Sequence, residues 1–397
     1  MLVMRKMLAL LLSGVLFAGL SAVFAQVMDE QKEGGCSMSN RRTVIPFGPQ
    51  HPVLPEPIHL DLVVEDEHVV EAIPSIGYVH RGLESLVDRR DYSDFVFLAE
   101  RICGICSFTH SSTFCQGIEG LMGIEIPDRA RYLRTLWGEY SRIHSHLLWL
   151  GLFADALGFE SLFYNAWKIR ESILNEMEAT TGGRVIQGVC KVGGVRRDIS
   201  NDFLSGMDSR LDAVEDEMQE LVKVFLNDYT LKKRVCGKGV LSAEDAYALG
   251  AVGPVARGSG VAQDVRMTDY LAYKDLGFKP IVANSCDGYG RCEVRCKELF
   301  QSVDLIRRII TDIPDGDVSV AVKGNPDGEY FSRSEQPRGE VIHYIRGNGT
   351  KNLTQFRVRT PTLTNVPALV AMLAGAELAD VPQIVLTIDP CIGCMER

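Results

Sequence analysis

Cys103-Gly104-Ile105-Cys106 and Cys391-Ile392-Gly393-Cys394 stand almost at opposite ends of the chain and share one spacing, C-x-x-C. At that spacing a tight turn aims two thiolates at one ion, and the intervening glycine frees the turn from side-chain clash. Four such sulfurs suit one soft metal centre. Local zinc modules set their two pairs roughly 12 to 20 residues apart, whereas here nearly the whole chain lies between them. A site closed only when residue 106 meets residue 391 is assembled by the finished fold, which fits a catalytic centre better than a local staple. From spacing alone, a structural zinc site and a disulfide or redox pair are the competing readings.

The rest of the chain reads as an α+β, predominantly helical protein: a bundle of long helices with small peripheral β-sheets. Ile58, Leu60, Leu62 and Val64 alternate with their neighbours as a strand does, and Glu65-Asp66-Glu67 turns into a second one. Asp91-Tyr92-Ser93-Asp94-Phe95 opens a helix that delivers the first cysteine pair. Asp128 after Pro127 caps a long helix whose stripe runs through Leu133, Leu136, Trp137, Tyr140, Ile143, Leu147 and Leu150. Further helical patterns cover 162–179, 203–227, 292–311 and 366–378. Period two returns at Val318, Val320 and Val322, then over 341–345 and 356–358 about a hairpin turn at Gly347-Asn348-Gly349.

Other candidate ligands are weaker. His144 and His146 are two apart on a helix and face different sides, so packing or hydrogen bonding explains them. Cys286, Cys292 and Cys296 are too few for an iron-sulfur cluster, and Cys115, Cys190 and Cys236 are isolated, which suits buried packing. A formal net charge of -10, with Lys and Arg scattered, argues against a nucleic-acid partner. Eleven cysteines point to a reducing compartment.

Arg101-Ile102-Cys103-Gly104-Ile105-Cys106 with His110 four positions on, and Asp389-Pro390-Cys391-Ile392-Gly393-Cys394, resemble the two signatures of the nickel-iron hydrogenase large subunit. Pro46-Phe47-Gly48-Pro49-Gln50-His51-Pro52 and Tyr78-Val79-His80-Arg81-Gly82-Leu83-Glu84 are similar to its membrane-bound, energy-converting branch. That branch is related to the 49 kDa quinone-site subunit of respiratory NADH:quinone oxidoreductase. The resemblance spans roughly residues 43 to 397 and implies the nickel-iron hydrogenase large-subunit fold.

It implies that Cys103, Cys106, Cys391 and Cys394 bind nickel, that Cys106 and Cys394 also bind iron, and that carbon monoxide and cyanide complete the iron. His110 matches a donor to a bridging sulfur, and Arg338 in Pro337-Arg338-Gly339 matches an arginine over the open face of the metals, with Asp389 holding it. Glu56, between Pro55 and Pro57, lines up with a glutamate that takes a proton from a terminal cysteine such as Cys391. Glu84 matches a glutamate that binds an outer magnesium or iron together with a histidine, at whose position this sequence has Arg397.

The implied partners are an iron-sulfur small subunit, integral membrane antiporter-like subunits and maturation proteins, with the chain peripheral on the cytoplasmic face of the membrane. Against this stands the N-terminus. Residues 1–26 read as a secretory signal, with Arg5 and Lys6, an apolar run to Phe24 and a small-residue cleavage site, which leaves export as a minor alternative. Residues 1–37 are accordingly read as a signal-like or mis-started segment, with Met38 as an alternative start, and 38–397 as a single domain. The rival functions are a quinone-site subunit, from which the four cysteines distinguish this chain, and a zinc-stapled scaffold subunit of a membrane complex.

Overall fold

Leu60, Leu62 and Val64 turn inward on a strand, as their alternation requires. In the computed structural model, which describes residues 42–397, β1 (Thr43–Phe47), β2 (His59–Glu65) and β3 (His68–Ser75) form an antiparallel meander in that order. The signal-like stretch and the start at Met38 lie outside the described residues. Leu60 and Leu62 pack into an apolar core shared with Leu369, Leu373, Ile384 and Val385 of the C-terminal region. The strand pattern near one end of the sequence is thus matched to short helices near the other.

The helical bundle holds a second core. It comprises α1 (Tyr92–Glu100), α2 (Ser107–Met122), α3 (Asp128–Ala156), α4 (Glu160–Thr181), α5 (Asn201–Asn227) and α6 (Gly288–Asp312). α5 is amphipathic, burying Leu204, Met207, Leu211, Val214, Met218 and Leu221, and Ser200 caps it by accepting from the Phe203 N–H at 3.3 Å. α3 is different. At 29 residues, about 43 Å long, it is buried nearly all round and carries Arg134, Glu139, Arg142 and His146 inside. Pro127, not Asp128, occupies its N-cap, and Asp128 is the first helical residue, without a capping hydrogen bond from its side chain. There it complements the positive end of the helix instead.

These interior charges meet those of other segments. Glu298 of α6 accepts from Arg257 and from His146, each at 2.8 Å, and Arg257 also reaches Glu335 at 2.8 Å. Asp264 pairs with Arg266 at 2.7 Å. Buried charges persist only when paired and hydrogen-bonded in this way.

The C-terminal sheet consists of β6 (Asp327–Gln336), β7 (Gly339–Asn348) and β8 (Gln355–Arg359), antiparallel in that order. β6 has no alternating apolar pattern and was not expected from the sequence. It is a strand because it pairs with β7 along its whole length, from Asp327 opposite Asn348 to Gln336 opposite Gly339. Its packing partner is α2, where glycine lets the hairpin come close: a Cβ on Gly120 would lie 2.4 Å from the Tyr330 ring. Gly347 and Asn348 extend the β6–β7 ladder rather than turning, and the chain reverses beyond them.

Two further expectations are corrected. Val318, Val320 and Val322 form no strand of their own; they run extended beside β4 (Cys190–Lys191) and β5 (Gly194–Val195), sharing the bonds Val195 N to Val318 O and Val320 N to Gly193 O, both at 2.9 Å. The helix expected over 366–378 ends at Leu373, because Gly375 takes a left-handed conformation (φ 79°), and a separate helix follows over Val381–Thr387.

Candidate metal centre

The first cysteine pair sits in a loop that runs into a helix, and the second straddles the start of one. Cys103 lies beyond the C-terminus of α1, Cys106 is the residue before α2, and Cys391 is the residue before α7 (Ile392–Glu396). The four side chains form a cluster of their own, all at most 3 % exposed and none in a disulfide. Cys103 Sγ lies 3.2 Å from Cys391 Sγ, and the ligand atoms of Cys103, Cys391 and Cys394 all lie within 4.8 Å of one another. Among the described residues this is the only such grouping of three or more Cys, His, Asp or Glu ligands. It joins positions 288 residues apart.

The sulfurs share charge unevenly. Cys106 is held well below the ordinary thiol value by hydrogen bonds from Cys103 and Cys394, with the Arg338 guanidinium adding to the effect. Cys391 is pushed up to about 12, first by its contact with Cys103. Cys394 is raised by Cys103, Cys106 and Cys391 in turn. Four crowded thiols cannot all ionise without a cation among them. Soft, convergent, unbridged sulfur donors in a water-poor site fit a thiolate-bound metal centre of the kind the resemblance implies.

Arg338 overlooks the cluster from the two-residue turn between β6 and β7. Its Nη1 donates to Cys106 Sγ at 3.3 Å, its Nη2 to Asp389 Oδ1 at 2.8 Å and its Nε to the Asp389 carbonyl at 2.8 Å. Asp389 takes a left-handed backbone (φ 56°) that lets its carbonyl and carboxylate meet the same guanidinium. The turn is fixed from behind, since Arg142 donates to the Glu335 carbonyl at 3.0 Å and the Val265 N–H to the Glu335 carboxylate at 3.1 Å.

Glu56 reaches the other flank. Its carboxylate accepts the N–H of Ile392, which lies between Cys391 and Cys394. Burial, then the neighbouring Cys391, raises its pKa above the usual carboxylate value. His110 Nε2 lies 3.4 Å from Cys394 Sγ, and burial pushes its pKa down to about 3, so the ring is neutral.

Glu84 behaves otherwise. Its Oε1 accepts from Arg397 Nε at 2.8 Å and from the Val358 N–H at 2.9 Å. A guanidinium stands where a divalent cation would need ligands, and the residues present do not fit an outer magnesium or iron there.

Three residues at the site had no role assigned from sequence. Arg81 donates to the carbonyls of Arg101 and Ile102, at 2.8 and 2.7 Å, and to that of Gly393 at 2.9 Å, tying both cysteine segments to one side chain. Gln336 and His343 both contact His110. Arg81 stands in a recognised stretch, so its position was visible; Gln336 and His343 left no signal in the pattern. Cys286, Cys292 and Cys296 are not gathered into a site, and His146 is engaged by Glu298, while neither ring nitrogen of His144 has a partner.

Residues 156–325 and 320–397 match the family described as the 49 kDa subunit of respiratory-chain NADH dehydrogenase, and residues 81–154 match the nickel-dependent hydrogenases. The membrane-bound hydrogenase subunit alpha of Pyrococcus furiosus is 37% identical over 371 residues, covering 89% of this chain and 87% of that one. The chain belongs to this hydrogenase and 49 kDa-subunit family. Another member, the carbon monoxide-induced hydrogenase of Rhodospirillum rubrum, is 38% identical over 356 residues, 89% of this chain and 99% of that one. The family fold is seen in the structure of the membrane-bound sulfane sulfur reductase, an archaeal respiratory membrane complex. It matches with a TM-score of 0.86 at 30% identity, over 91% of this chain and 100% of that one. Members of the family thus carry names of different activities, and the site has to choose among them.

Proposed function

We propose that this chain is the catalytic large subunit of a membrane-associated, energy-converting nickel-iron hydrogenase, interconverting dihydrogen with protons and electrons. The observation that carries the reading is the convergence of four buried, unbridged cysteines beneath the Arg338 guanidinium. Cys103, Cys106, Cys391 and Cys394 would hold nickel, with Cys106 and Cys394 shared with an iron that also carries carbon monoxide and cyanide. Such a centre would supply Lewis acidity for the heterolytic cleavage of dihydrogen.

The chain's own residues provide the rest. Arg338 keeps its charge at any working pH and offers a fixed, planar donor at Cys106. Asp389 fixes that fork through two acceptors. Glu56, whose pKa burial and then the neighbouring Cys391 raise above the usual carboxylate value, is only partly buried; it takes a proton from the Cys391 sulfur and passes it outward. His110 donates to the Cys394 sulfur and tempers its basicity.

Electrons would pass to an iron-sulfur small subunit, since the described residues offer no second cysteine grouping. Antiporter-like membrane subunits would couple the reaction to ion movement, and maturation proteins would insert the metals. No helix among the described residues is long and apolar enough to cross a membrane, so attachment on the cytoplasmic face would be peripheral. A quinone-site subunit is the second reading, favoured by the longer span of the 49 kDa match.

Metal analysis of the purified complex with infrared spectroscopy tests the proposal. Nickel with carbon monoxide and cyanide bands is the expected result. A complex without nickel overturns it in favour of the quinone-site reading, and zinc alone selects the scaffold.

A further inference from the structure

His110 is in contact at both ring nitrogens. Nε2 lies 3.4 Å from Cys394 Sγ and 3.0 Å from the Gln336 amide, and Nδ1 lies 3.1 Å from Nε2 of His343. Both rings are fully buried and neither has a carboxylate partner, so neither holds a positive charge. A neutral imidazole donates at one nitrogen and accepts at the other, so protons along this pair point one way or the other.

If His110 donated from Nδ1, His343 would accept at Nε2 and carry its own proton on Nδ1. That atom is buried and has no hydrogen-bond partner, and the Phe356 ring stands edge-on to His343 at 5.1 Å. Buried N–H groups without a partner are rarer than bare acceptors. In the opposite direction His343 donates from Nε2, its Nδ1 is only a lone pair, and the His110 proton sits on Nε2, facing Cys394. Gln336 complies, because a half-turn of its amide presents Oε1, which otherwise has no partner, to the same N–H. A metal-bound thiolate can accept but not donate, so the second direction is also the one that serves the sulfur.

We propose that His343, from β7, is a positioning residue for the metal centre: it fixes the tautomer of His110, and so delivers the Nε2–H of His110 to the Cys394 sulfur. This rests on the nickel-iron reading, because only a metal-bound thiolate needs that donor. The electron density on Cys394, and with it the potential of the metal it binds, then depends on a side chain two hydrogen bonds away.

The test uses the intact complex with three substitutions. His343→Phe keeps a ring but no donor. His343→Gln carries an amide nitrogen at the same bond count from Cβ as Nε2, whereas the nitrogen of His343→Asn falls short. With normal nickel content and melting temperature, His343→Phe is expected to lower turnover roughly 10- to 100-fold and to shift the midpoint potential of the nickel signal in redox titration. His343→Asn should behave like it, and His343→Gln should return both readings toward the parent. A nickel-replete parent whose His343→Phe variant keeps the parent's potential and turnover overturns the inference alone. So does an equal loss in all three variants that tracks melting temperature. If phenylalanine prevents folding, the Gln and Asn variants decide, and equal potentials in those two overturn it. A parent without nickel overturns the functional reading first.

Discussion

Cys103, Cys106, Cys391 and Cys394 come from the two ends of the chain and meet, whereas Cys286, Cys292 and Cys296 lie within one short stretch and gather no site. Cys292 and Cys296 are locked into α6, where burial pushes the first up to about 12 and raises the second well above the ordinary thiol value. Cys286 stays partly exposed, its thiol 3.5 Å from the Asn284 carbonyl. In the first group the sulfurs face one another, and Arg338 with neighbouring thiols holds Cys106 low. Burial alone makes a cysteine inert; convergence and a fixed positive charge suit it to ligand a metal.

The comparison breaks most readily at the converging group. Cys103→Ala or Cys391→Ala is expected to reduce nickel content and hydrogen turnover to background, since a four-thiolate site has no spare ligand; normal nickel in either would erase the contrast. Arg338→Lys keeps a charge but loses the fork that spans Cys106 and Asp389, and turnover should fall by about 1,000-fold with nickel unchanged. Unaltered turnover would mean that the guanidinium does no work at the metals.

Glu56→Gln should lower hydrogen–deuterium exchange by about 100-fold, the lower range for losing a general acid-base group, while ortho/para hydrogen conversion survives. Exchange at the parent's rate would shift the proton route away from Glu56. The smallest effect belongs to the other group: Cys292→Ala and Cys296→Ala should each cost about 1 to 2 kcal/mol in denaturant unfolding and leave nickel and turnover intact. Loss of nickel there would make the second group a ligand site and remove the distinction.

Much of the fold was legible. The long helices over 201–227 and 288–312 and the strand at 59–65 follow from stripes and alternation, and the helix over 128–156 is marked by its apolar stripe although it is buried nearly all round. β6 was not, because its inward side chains are Ser332, Ser334, Glu335 and Gln336, and polar residues are buried there only because α2, Arg257 and Arg142 meet them. Val318 to Val322 alternated correctly but found only a two-residue edge to lie against. At the site, the cysteines, Arg338, Asp389, Glu56 and His110 were each named from motifs, and the fold brings all of them to one place. Arg81, Gln336 and His343 act through hydrogen bonds across long chain separations, and such partners carry no local pattern.

By itself, then, the sequence determined which residue types are available for soft-metal chemistry and which strongly periodic segments are helix or strand, because ligand chemistry and hydrophobic period are properties of neighbouring residues. Only the tertiary structure decided that residue 103 would face residue 391, that Glu84 would hold Arg397 rather than an ion, and that His343 would stand behind His110. Those are outcomes of packing two separate cores around one polar centre, where distance in space and direction of a proton are set by every surrounding side chain together.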